Sequence, residues 1–99
     1  MVNQIHRDKA RRLLYHQQEL RRVECLSIIH DLSIPSEVRF RSLQRLNQLN
    51  RNGSRTRFRN RCIATGRGRG VYRFCRLSRV SFRRLASQGL LMGITKSSW

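Results

Sequence analysis

Residues 4–31 contain neither glycine nor proline, and apolar positions recur there as Ala10, Leu13 and Leu14, then Val23, Leu26 and Ile29. Recurrence at three and four residues predicts an α-helix. His16, Gln17 and Gln18 interrupt the stripe, so the helix is expected to be long, partly exposed and supported by something outside the chain. Ser33-Ile34-Pro35-Ser36-Glu37 reads as a second helix start, because proline suits a first turn and a carboxylate complements the helix dipole there. Val38, Leu43, Leu46 and Leu49 supply its apolar positions, with Arg39, Arg41 and Arg45 toward other faces and Asn50 to Ser54 as its end. From Arg51 to Asn60 only Phe58 is apolar, which predicts a polar loop that is disordered when free in water.

Beyond this, Arg61 to Phe74 reads as a short hairpin closed by Gly66-Arg67-Gly68-Arg69-Gly70. A third helix follows, with Ser78 as its N-cap, Phe82, Leu85 and Ala86 on its apolar face, and Gly89 as a left-handed stop. The tail to Trp99 is expected to be extended. The predicted fold is therefore mainly α, small and extended. It comprises an N-terminal helical arm of two helices (1–50), an arginine-rich basic linker (51–60) and a ribbon-like module (61–99) of hairpin, C-terminal helix and tail.

A chain of 99 residues forms one domain at most and buries a modest core. Its net charge of +17 is unevenly spread: residues 1–37 hold six basic groups and all five acids, whereas residues 38–99 hold fifteen arginines, Lys96 and no acid. Such a block repels itself, so a polyanion is its natural counter-charge. Twenty of the 22 basic residues are arginine, whose guanidinium binds phosphate bidentately and stacks on bases. This composition favours a fixed nucleic-acid contact over a generic solubilising surface.

Three cysteines, Cys25, Cys62 and Cys75, are too few and too irregular for a secreted disulfide framework; one Cys62–Cys75 bridge is conceivable, but free thiols in a reducing compartment are expected. No apolar run approaches the roughly 20 residues of a membrane span. Asp8 and Glu19 make the N-terminal region a poor match to a cleavable presequence.

Cys62, Thr65, Ser78 and Ser81 stand at the four ligand positions of a small zinc ribbon, spaced by two, twelve and two residues. Hydroxyls are poor zinc ligands beside thiolate, so the frame is read as metal-free and vestigial, and no cofactor is expected. The glycine-arginine run lacks the Lys-Ser or Lys-Thr of a nucleotide-binding loop; it makes better sense as a turn that brings backbone near a phosphate between Arg67 and Arg69. Among the aromatic residues, Phe82 and with it Phe74 are assigned to packing, while Tyr72 suits packing and base stacking equally. Residues 38–99 contain neither carboxylate nor histidine, which removes every general-base, triad and metal-ligand arrangement from that region.

From Arg59 to Trp99, about two-fifths of the chain, the sequence resembles the family of the fourteenth protein of the small ribosomal subunit. The resemblance rests on Cys62, Gly66-Arg67, Arg69, Val71-Tyr72-Arg73, Leu77, Arg79, Arg83, Leu85-Ala86, Gly89, Gly93 and Lys96-Ser97-Ser98-Trp99. The stretch from Leu32 to Val38 resembles the longer, zinc-free form, and the ending from Leu91 to Trp99 looks most like mitochondrial members. Bacterial members usually carry glycine where this chain has Arg76 and proline where it has Met92, so the resemblance leaves a turn and the path of the tail open at those two positions.

The resemblance implies a structural constituent of the mitochondrial small subunit, located in the matrix, that binds ribosomal RNA in the subunit head. It implies neighbours among the third, tenth and nineteenth small-subunit proteins, a role in head assembly near the decoding region, no membrane partner and no homo-oligomer. The residues expected to contact RNA are Arg51, Arg55, Arg57, Arg59, Arg61, Arg67, Arg69, Tyr72, Arg73, Arg76, Arg79, Arg83, Arg84, Lys96 and Trp99. Two rivals are a free RNA-binding adaptor or chaperone using the same cations, and a membrane-active cationic peptide. The second needs an amphipathic cationic helix, whereas most of the charge here is assigned to loop and ribbon.

Overall fold

The computed structural model describes Val2–Trp99. Among these residues the fold is mainly helical, with three α-helices and no strand beyond one isolated antiparallel bridge between Val71 and Ser78. Helix α1 spans Val2–His30, α2 Ser36–Gln48 and α3 Arg79–Ser87, with two short 3-10 turns at Arg51–Gly53 and Arg55–Arg57. Residues 6–58 form one compact unit; residues 59–99, together with the first turn of α1 as far as Ile5, form another.

In the first unit the covered face of α1 is not the expected apolar stripe. Leu13 and Val23 are 60% and 57% exposed, and the half-buried row is Arg11, Leu14, Tyr15, Gln18, Glu19, Arg22, Cys25, Ile28 and Ile29. This row still has helical spacing, but it mixes polar stems with apolar groups, because long polar side chains cover surface with their methylenes. The expected face of α2 also shifts. Arg39 is half-buried and Ser42 buried, while Val38 and Leu43 are exposed. Between α1 and α2, the Asp31 carboxylate accepts from the Ser33 backbone N–H at 2.9 Å and hydroxyl at 2.7 Å. These bonds hold the Asp31 carboxyl below its ordinary range, the hydroxyl bond contributing most. Helix α2 opens at Pro35, whose carbonyl accepts from Val38 and Arg39.

The segment after α2 is folded against α1. Asn50 caps the first 3-10 turn through its side chain, which accepts from the Asn52 N–H at 3.0 Å. Phe58, the single apolar residue in this stretch, sets its ring edge against Tyr15 at 5.3 Å, with the Arg12 guanidinium 4.7 Å from the ring centroid. Arg12 also pairs with the buried Asp8 at 2.9 Å, and Arg11 donates to the Arg57 carbonyl at 3.1 Å. One aromatic anchor and these arginines from α1 thus order a segment whose own composition is polar.

In the second unit, the hairpin expected over 61–74 is replaced by two tight loops. In the first, Gly66 donates its N–H to the Cys62 carbonyl at 2.8 Å, and Cys62 donates to the Arg67 carbonyl at 2.9 Å. Gly66 has φ +73, and a Cβ there would overlap the Ile5 side chain; both its backbone conformation and its place against Ile5 require glycine. The second loop is closed by Tyr72 N–H to the Leu77 carbonyl at 2.9 Å and Arg76 N–H to the Tyr72 carbonyl at 2.8 Å. Because each loop reverses the chain by itself, the run from Gly66 to Gly70 is not a hairpin tip.

Helix α3 starts and stops as its sequence predicts. The Ser78 hydroxyl accepts from the Ser81 N–H. At the far end Gly89 has φ +71, and Gly89 and Leu90 donate to Ala86 and Leu85, a left-handed helix termination. Beyond it, the tail still turns at residues 91–93 with Met92 fully exposed. No described helix is long and apolar enough to cross a membrane.

Candidate nucleic-acid interface

The four ribbon positions come together. Cys62, Ser78 and Ser81 are 3%, 1% and 3% exposed. The Cys62 sulfur lies 3.8 Å from the Ser81 hydroxyl, which in turn lies 3.1 Å from the Ser78 hydroxyl. Thr65 completes the group from the rim, hydrogen-bonding Cys62 through both its hydroxyl and its backbone. Burial pushes the Cys62 thiol up, but the bonds from Thr65 and Ser78 outweigh it and bring the thiol down to about 6. The hydroxyls thus satisfy one another and the sulfur, as buried polar groups must. Among the described residues no three His, Cys, Asp or Glu side chains gather as a metal-ligand set.

This cluster ties the two loops to the start of α3. Ile63 donates to the Arg76 carbonyl at 3.0 Å, and Arg79 donates to the Gly70 carbonyl at 2.7 Å. Arg76 itself has φ +56, the one non-glycine residue with positive φ among those described. A side chain in that region costs roughly 1–2 kcal/mol, so the strain expected on replacing glycine there is present, and the loop nonetheless closes.

The cations are not equivalent. Arg67, Arg69, Arg73, Arg76, Arg79, Arg83, Arg84 and Lys96 are exposed, as are Arg51, Arg55 and Arg59. Arg57 and Arg61 are half-buried. Arg57 donates to the Asn52 side-chain oxygen at 2.7 Å. Arg61 donates to the Gly66 carbonyl at 3.1 Å and to Gln4 at 3.4 Å, and its Nε is buried. These two side chains brace the protein as well as carrying charge. The Trp99 ring is fully exposed.

The aromatic residues form a triad. Tyr72 and Phe74 stack at 5.8 Å and 27°, and Phe82 meets both edge-on at 5.3 and 5.8 Å. Phe82 is half-buried on α3, as assigned. Phe74 packs against both of these rings, yet it is 76% exposed, more than Tyr72 at 42%. The packing assigned to Phe74 is therefore made to the other two rings at the surface rather than to a buried core.

The chain is similar to proteins of known families. The model of the family described as ribosomal protein S14p/S29e matches residues 45–98. The small ribosomal subunit protein uS14m of Prototheca wickerhamii and that of Marchantia polymorpha are each 50% identical over the whole of both chains. The small ribosomal subunit protein uS14 of Rhodospirillum centenum is 46% identical over 96% of this chain and 94% of its own length.

Proposed function

The chain belongs to the ribosomal protein S14p/S29e family, and on that premise we propose that it is a structural, non-catalytic constituent of the mitochondrial small ribosomal subunit. Relatives of the mitochondrial designation uS14m match it at half identity over full length, which supports the organelle. The observation that carries RNA binding is the exposed cationic surface: residues 38–99 present arginines on α2, on the loops and on α3 with no acidic side chain among them.

The contacts are assigned to Arg51, Arg55, Arg57, Arg59, Arg61, Arg67, Arg69, Tyr72, Arg73, Arg76, Arg79, Arg83, Arg84, Lys96 and Trp99. The exposed arginines and Lys96 among them neutralise phosphates and release counterions, Arg57 and Arg61 add charge while bracing the protein, and folded RNA is read through its shape and backbone. Residues 61–99 act as the RNA-binding module, a metal-free remnant of a zinc ribbon. In it the hydroxyls of Thr65, Ser78 and Ser81 take over, by hydrogen bonding around Cys62, the cross-linking that a metal supplies elsewhere. Residues 1–50 serve as a helical arm and 51–60 as the basic connection. The place in the assembly is the subunit head, beside the third, tenth and nineteenth proteins.

Gradient sedimentation of mitochondrial extract tests this reading. The protein is expected in the small-subunit fractions at moderate salt. Its recovery in light fractions, bound to many unrelated RNAs, would support a free adaptor instead.

A further inference from the structure

We infer that the loop from Tyr72 to Leu77 is a seat for an unpaired RNA base, with the outer face of the Phe74 ring as the stacking surface. The inference rests on the RNA-binding reading above and adds a contact of different chemistry from the phosphate contacts.

Phe74 is 76% exposed, an unfavourable position for an apolar ring in water. It is nevertheless held in place. The near-parallel Tyr72 ring backs it at 5.8 Å and 27°, and the edge-on Phe82 ring supports it at 5.8 Å and 80°. Phe82 also fixes Tyr72 at 5.3 Å. The backbone beneath is closed by two hydrogen bonds, Tyr72 to Leu77 and Arg76 to Tyr72. A braced aromatic ring on a closed loop loses little freedom when something stacks on it.

Charge identifies what stacks there. Arg73 and Arg76 flank the ring in sequence and are both exposed, and Arg76 is kept in a strained left-handed backbone. Strain of this kind persists where the surrounding structure holds it, and clusters at functional sites. An apolar protein groove has no need of a cationic, acid-free rim, whereas a nucleotide presents a π-face and a phosphate together. Paired RNA offers no open base face, so the occupant is a base in a single-stranded segment, loop or bulge.

The test uses the full chain and two labelled probes of equal length: an unstructured single-stranded RNA and a blunt RNA duplex. Phe74→Ala is expected to weaken single-strand binding by about tenfold, leaving duplex affinity and the salt slope unchanged because no charge is lost. Phe74→Trp is expected to restore binding. Phe74→Leu, which keeps apolar area but has no π-face, is not. Unchanged single-strand affinity in Phe74→Ala, or full rescue by leucine, overturns the proposal while leaving phosphate binding intact. So does a Phe74→Ala protein that binds both RNAs normally yet fails to join the subunit, which would mark Phe74 as a protein contact. If the parent protein binds neither probe, the broader RNA reading fails first. Thermal melts of each variant separate lost binding from lost fold.

Discussion

At Arg76 the backbone takes a left-handed turn that glycine adopts freely and arginine does not. Replacing it should separate stability from function. Arg76→Gly is expected to stabilise the free protein by about 1 kcal/mol in urea unfolding while lowering RNA affinity, since an exposed guanidinium is lost. A destabilised variant would show that the arginine side chain holds the loop. Cys62 makes a second residue-level prediction. Its thiol is brought from 9.0 to about 6 in the folded chain, so folding favours the thiolate. The resulting stabilisation is complete above about pH 9 and is lost as pH falls toward 6. Unfolding measured across that range should show stability rising with pH, and Cys62→Ser should flatten the rise; an equally steep profile in the variant would contradict the assignment.

Among the elements, the segment from Arg51 to Phe58 depends on one ring. Phe58→Ala removes an edge-on aromatic contact and a cation–π contact, a loss of about 2 kcal/mol. Amide exchange at residues 51–57 should accelerate selectively, whereas uniform acceleration along the chain would indicate global unfolding. This segment also shows where sequence reading stops. Helices α1, α2 and α3 were legible because their signals are local: helical spacing, Pro35, the Ser78 cap and Gly89. The 3-10 turns were not, because their order comes from Arg11, Arg12 and Tyr15, more than 40 positions earlier. The covered faces of α1 and α2 were misread for a similar reason. Arg22 and Arg39 cover surface with their stems, which a binary apolar pattern does not register. In the candidate interface, the convergence of Cys62, Thr65, Ser78 and Ser81 was legible from spacing. Two separate loops in place of one hairpin were not, since the positive φ of Arg76 has no signal in an arginine.

For the molecule as a whole, the surface divides arginines into those that face solvent and those that brace the protein. Binding to ribosomal RNA should fall linearly with the logarithm of salt, losing about 0.7 of slope for each exposed arginine removed that neutralises a single-strand phosphate. Arg67→Gln and Arg69→Gln are expected to show that loss with unchanged melting temperature. Arg61→Gln, whose guanidinium bonds Gly66 and Gln4, should lower the melting temperature as well. Equal effects from all three would mean that the distinction between facing and bracing arginines does not govern binding.

The central claim is that the arginine surface of residues 51–99 lies on small-subunit ribosomal RNA. Crosslinking the protein in intact mitochondria and mapping the RNA sites tests it most directly. The account predicts crosslinks from this segment confined to a few neighbouring sites in small-subunit ribosomal RNA. Crosslinks scattered over unrelated transcripts, or arising only from residues 1–50, would contradict it.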